Sequence, residues 1–227
     1  VAVSPFIPDN LEHKHDYLGR AYQELLQSEL ALVPGVAVLE TSEAKAISQE
    51  LEVSGTELGK RTVPYLVDGK FKVSGDKVEI SYSITGGKTR QELTKETINP
   101  GGETALFKKI LASLVLGGTD VSKMEITSEA QCSWLLEQAE CFSKLSMPAN
   151  AIALREAALL INPDNVQERL YLLADYKNFY KSQSPPPPDL KQEQKFKFNA
   201  EVASEKVGAY IRALKHIEYL VLNRKID

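Results

Sequence analysis

Four residues ahead of the first long helix, Glu12, His13, His15 and Asp16, are of types that bind metal ions. His13 and His15 would offer imidazole nitrogens and Asp16 a third, carboxylate ligand. In an α/β layer this loop falls beyond the carboxyl end of the first strand, a common ligand position. A solvated polar loop with Asp16 capping the helix accounts for the same residues more simply. Cys132 and Cys141 are the two cysteines of the chain, nine residues apart in a segment of helical period. That spacing puts them on opposite helix faces and about 13 Å apart along the axis, beyond the reach of a disulfide. They read as free thiols. No G-x-S-x-G turn and no cysteine with an evident histidine partner occurs. The glycine pairs at 86–87, 101–102 and 117–118 lack the Gly-Lys-Ser/Thr of a phosphate-binding loop and read as turns. Carboxylate pairs such as Glu50 with Glu52 and Glu137 with Glu140 fall on polar helix faces, where solvation is the ordinary explanation. His216 stands alone beside an apolar helical stripe, as a boundary residue. The residues therefore predict no enzyme, no catalytic set, no cofactor and no metal.

Composition narrows the classes further. The chain has 227 residues, 43% hydrophobic and 26% charged, ordinary values for a globular protein. A formal net charge of -4 argues against a nucleic-acid partner, which selects a clustered basic excess. No run approaches the ~18 apolar residues of a membrane span, so contact with a membrane is peripheral at most. The sequence begins at Val1, without Met and directly in an apolar run, which reads as a chain trimmed or cleaved upstream.

The elements that must position any site centre on Pro64–Ile98. Tyr65, Val67, Phe71 and Val73 alternate with Leu66, Asp68, Lys70 and Lys72, and Val78, Ile80, Tyr82 and Ile84 resume the period after Ser74-Gly75-Asp76. Period-two runs split by a glycine-containing turn predict a hairpin. After Gly86-Gly87, the polar run Arg90–Ile98 reads as a third, edge strand, completing a three-stranded antiparallel meander. Before it, Val1–Phe6 and Val36–Leu39 read as short buried strands, and Tyr17–Leu32 and Glu43–Leu51 as helices with apolar stripes. That order predicts an α/β (α+β) sandwich on a mixed sheet, its first two strands parallel through a right-handed crossover. A helix from Glu103, with Leu106, Phe107, Ile110, Leu111 and Leu114 inward, covers the meander and completes a domain of residues 1–118. Residues 119–227 form an all-α domain, helical from Thr127. Its helices cover the region of Trp134 to Leu145, Ala149–Ile161, Val166–Tyr180 and Ala200–Asn223. The last carries Val207, Tyr210, Ile211, Leu214, Ile217 and Val221 on one face. The stretch 184–189, with SPPPP at its start, cannot be helix or inner strand and reads as a stiff polyproline loop.

Two resemblances attach to these residues. VAVSPF, DYLGRAYQELLQSELAL, GVAVLE, YLVDGKFKVSGDKVEISYSI and the closing TALFKKILASLVL resemble, in that order, the TolB amino-terminal-like domains. That group includes CsgG-, FlgO- and LpoB-like envelope proteins. The resemblance implies a domain for assembly, docking or recognition, and no catalysis. Cys132–Asn165 resembles one tetratricopeptide repeat, with Ala139, Phe142, Ala151, Ala158 and Pro163 at the repeat's own spacings. Gln138 and Arg155 depart from it, standing where the repeat favours Leu and an aromatic. Leu172 and Tyr176 suit the first helix of a second unit. Such repeats present the inner face of their first helices to a partner. Here that face implies Ser133, Leu136, Glu140, Ser143 and Lys144 as partner-binding residues.

The functional expectation is a non-enzymatic protein-binding or scaffolding component of the bacterial cell envelope. It would act in secretion, surface assembly or a cell-wall complex, bind other proteins, and reside in the periplasm or envelope. The alternative is a regulatory or sensor module of a longer cytoplasmic signalling protein. A small enzyme or metal-binding protein using the His13 and His15 loop is the third.

Overall fold

A computed structural model describes residues 1–9, 15, 17–54, 64–75, 77–86, 89–90, 94–98, 103–114, 127–182 and 191–223. The elements are β1 (Ala2–Val3), β2 (Ile7–Pro8), α1 (Tyr17–Ala31), α2 (Thr41–Ser54), β3 (Leu66–Ser74), β4 (Lys77–Gly86), β5 (Thr89–Arg90) and β6 (Thr94–Ile98). They continue with α3 (Glu103–Ser113), α4 (Ser128–Lys144), α5 (Pro148–Ile161), α6 (Val166–Lys181) and α7 (Gln192–Leu222).

The β3–β4 hairpin forms where the alternation puts it, in register from Leu66 opposite Thr85 to Ser74 opposite Lys77. Val67, Phe71, Val78, Ile80, Tyr82 and Ile84 are buried on its inner face. Gly75 turns it at φ 60°, a left-handed conformation that a side chain disfavours.

The rest of the sheet corrects the expected sandwich. Helices dominate the described residues and the sheet is small, with β1 and β2 both running parallel to β3 on one edge. The continuous third strand of the expected meander is not formed. In its place two short pieces, β5 and β6, pair separately with β4. Between Tyr82–Thr94 and Thr85–Arg90 the outer side has one residue more than β4, so the register slips. The run TRQELTKETI holds too few apolar residues for alternation to specify one register. Val36–Leu39 is not a strand either. It contributes one parallel bridge, Leu39 to Ala2, before the chain turns into α2.

The same one-residue excess shapes the opposite edge. Ser4, Pro5 and Phe6 lie opposite only Asp68 and Gly69, and the bulge turns Phe6 inward. Its ring lies on Gly69, where a methyl group would come within 2.2 Å of it. Its backbone N–H donates to the Gly19 carbonyl of α1 at 3.0 Å. Phe6, Tyr22, Phe71 and Phe107, from four separate segments, then meet edge to face with ring centroids 5.6–6.3 Å apart.

α1 is the hub of the molecule. Leu18, Ala21, Tyr22, Leu25, Leu26 and Leu30 are all buried, between the sheet and α3 on one side and α4 and α5 on the other. One apolar cluster consequently runs from Val3 and Phe71 through α1 to Leu135, Ala139, Leu154 and Ala158. Gln131 of α4, wholly buried, fastens the layers by donating to the Leu25 carbonyl at 3.0 Å and to Ser28 Oγ at 2.9 Å. The expected boundary near residue 118, and the loop 184–189, lie outside the described residues.

Candidate functional site

α5 and α6 are joined by polar chemistry as much as by apolar contact. Arg155, buried on α5, donates from Nε to Asp175 Oδ2 at 2.7 Å and pairs through Nη1 with Glu168, both on α6. Asp175 also accepts from Ser143 of α4 at 2.9 Å. Next to Arg155, Glu156 Oε1 accepts from the Tyr176 hydroxyl and from His216 Nε2, the latter at 3.2 Å. Burial and then the Glu156 charge hold the Tyr176 hydroxyl well above the ordinary tyrosine range, so it stays protonated and donates.

α7 docks on this network. Arg169 of α6 spans the α5–α6 turn, donating from Nε to the Pro163 carbonyl at 3.2 Å and from Nη1 to His216 Nδ1 at 2.8 Å. A guanidinium only donates, so Nδ1 accepts and the ring proton sits on Nε2, facing Glu156. The Arg169 guanidinium also lies 3.7 Å from the Tyr219 ring centroid. Ile152, Leu159, Leu172, Tyr176 and Ala209 form a small apolar cluster between these contacts.

Where α7 stands away from α1, a cleft of about 500 Å³ opens, lined by Tyr17, Arg20, Ile152, Glu156, Phe179 and Arg212 among others. Arg212 is held by the Tyr176 hydroxyl, to which its Nε donates at 2.9 Å, and by the facing Tyr17 ring at 5.4 Å. A second hollow of about 520 Å³ lies between α1, α4, α5 and the start of α2, with Gln23, Glu24, Thr41, Trp134 and Phe142 on its walls. Burial pushes the Glu24 carboxyl up to about 7 against the opposing pull of the Arg20 charge.

The outer side of α7 is the most exposed apolar surface described. Val207, Tyr210, Ile211, Leu214, Ile217 and Val221 share one face, as their spacing predicts, and that face is turned to solvent. Tyr180, at the end of α6, extends it, its ring 6.4 Å from that of Tyr210.

The partner-binding residues expected on α4 do not converge. Ser133, Glu140 and Lys144 are exposed, with Glu140 and Lys144 paired at 2.7 Å. Leu136 packs on the core edge, and Ser143 is bound to Asp175. Ala139, Ala151 and Ala158 are buried where α4 and α5 come together. Cys132 is half-buried and Cys141 exposed, both as free thiols. His13 and Asp16 lie outside the described residues, and among the described residues no three His, Cys, Asp or Glu side chains gather as a metal site would need. No helix among the described residues is long and apolar enough to cross a membrane.

Sequence reasoning missed the buried network of Arg155, Glu156, Arg169 and Asp175. One signal was legible: Glu168 and Asp175 are seven apart, hence on one face of α6, with Leu172 between them. No family profile, no curated protein and no solved structure matches this chain. None of these comparisons identifies a TolB amino-terminal-like domain or a tetratricopeptide repeat in it.

Proposed function

We propose that this chain is a non-enzymatic docking module that binds protein through the outer face of α7. The observation that carries this is the solvent-facing stripe from Val207 to Val221, on a helix whose other side is committed to α6 and α5. Contiguous apolar surface on a folded protein marks an interaction site. Tyr180 and Tyr210 add the aromatic character that interface cores favour. Placement in a bacterial envelope complex follows from the resemblance to TolB amino-terminal-like domains.

A photo-crosslinking residue in place of Tyr210, compared in native cells with one at the exposed Lys177, tests the reading. Protein adducts at position 210 and none at 177 are expected. Equal labelling, or none at 210, overturns it. A second reading, the sensor module of a longer cytoplasmic protein, is favoured by the cleft with Arg20 and Arg212 on its walls. It differs in placing the native polypeptide in the soluble cytoplasmic fraction.

A further inference from the structure

Val207, Tyr210, Leu214, Ile217 and Val221 are spaced alternately three and four residues apart, with Ile211 beside them. That is the period of a seam between two helices. All are open to solvent, from 37% at Ile211 to 59% at Val207, while Ala209, His216 and Leu220 on the other side are buried. Single exposed apolar residues need no explanation, but a continuous stripe about 21 Å long does.

The area distinguishes between occupants. Those exposures leave on the order of 600 Å² open on the six residues, so two matched stripes would bury on the order of 1,200 Å², where stable specific interfaces begin. The shape distinguishes too. One helix face offers a ridge with a seam, not a groove, and the surface that interdigitates with it is another helix of the same period. Charge does not oppose this pairing. Beside the seam stand one cation, Lys206, and one anion, Glu218, with the uncharged Ser204, Ile211, Ala213 and Leu220 at the other flanking positions. In a parallel pair Lys206 would face Ile211 and Glu218 would face Ala213, so no like charges meet.

We infer that the occupant of this face is a second copy of this chain, the two α7 helices packing along their stripes about a two-fold axis. The same residues serve on both sides, as an isologous interface requires. Tyr180 of each copy lies at the margin and widens the contact beyond the helix pair. The inference rests on the reading of this face as a docking surface, and names its partner.

Sedimentation velocity of the full chain across the micromolar range tests it. The expected result is a concentration-dependent dimer. Leu214→Glu together with Ile217→Glu should weaken it by ~100-fold or more, because carboxylates would be buried without partners. Unchanged far-UV circular dichroism would show that this variant folds. Leu145→Glu, at an exposed site on the α4–α5 connection, should leave the dimer intact. A monomer at every concentration, or a dimer that survives the double change, overturns the inference. If the chain is monomeric yet Tyr210-position adducts form with another protein, self-pairing fails and the docking reading stands. A monomer with no such adducts ends both.

Discussion

α1 and α7 are both amphipathic helices with apolar stripes, and they meet opposite fates. α1 is enclosed by the sheet and α3 on one side and by α4 and α5 on the other, so nine of its residues are buried. α7 buries Ala209 against α5 and α6, with His216 and Leu220 also buried, and leaves Val207, Tyr210, Leu214, Ile217 and Val221 open to solvent. The stripe on α7 is the more regular of the two in sequence, yet it is the one left uncovered. A 3.6-residue period states that a segment is helical and two-sided; it does not state which neighbour supplies the cover. The cover of α1 comes from four elements, each shaped to it, with Tyr22 meeting three other aromatic rings. α7 is held to its own protein largely by Arg169, His216, Arg212 and Tyr219, which direct and orient more than they bury.

The largest effect should come from cutting into α1. Leu25 is buried at the meeting of the layers, and Leu25→Ala should cost about 4 kcal/mol, lost transfer energy plus an unfilled cavity. The chain has one tryptophan, Trp134, on α4. Because one apolar cluster joins the sheet to α4, urea unfolding followed by Trp134 fluorescence and by backbone circular dichroism should shift together. Two separated transitions would show that α1 is a hinge between units and not their shared core.

α1 also contains a flaw, and pH should expose it. Glu29 is fully buried, and among the described residues neither carboxylate oxygen has a hydrogen-bond partner. Burial pushes its pKa up to about 7, against the opposing charge of Lys108. A carboxyl whose folded pKa lies above its unfolded value stabilises the fold when protonated. That stability is whole below pH 4.5 and is lost as pH rises to 7. Glu29→Met removes the group that must be neutralised. The variant should gain up to about 3 kcal/mol at pH 8 and little at pH 4, in denaturant titrations at the two pH values. Equal gains at both would mean that packing, not ionisation, sets the cost of Glu29.

Much of this was legible in the residues, and the illegible parts share a cause. The hairpin, the Gly75 turn and the helix stripes each follow from local period and turn chemistry, which neighbours in sequence decide. The third strand and Val36–Leu39 depended on pairing partners, which a local period does not name. Phe6 reads as an ordinary strand residue until the bulge and Gly69 place it on the α1 core. The ion-pair network was hidden because a charged residue on a helix is ordinarily solvated. Arg155 departs from the repeat pattern at the position where the network needs a cation, a second clue beside the spacing of Glu168 and Asp175. The α4 residues offered as a binding face scatter because Ser143 and Leu136 were already committed to this protein's own contacts.

The docking of α7 gives the smallest expected loss and the sharpest contrast with α1. Arg169→Ala would remove the donors on the Pro163 carbonyl, leave His216 Nδ1 without a partner in a buried site, and unstack Tyr219. Losses of that kind amount to about 2 kcal/mol, since a hydrogen bond lost in a buried site costs the desolvation of the group left behind. The loss should be local. Among the described residues no α7 side chain belongs to the α1 core cluster, so α7 can open without unfolding the sheet. Amide hydrogen exchange along Ala213–Leu220 should then speed up by about 30-fold, with the α1 amides unchanged. Arg169→Lys keeps the charge but not the planar fork, and should recover only part of the protection. If α1 amides speed up as much as those of α7, the two helices belong to one cooperative unit, and the network ties α7 to the core instead of holding it at the surface.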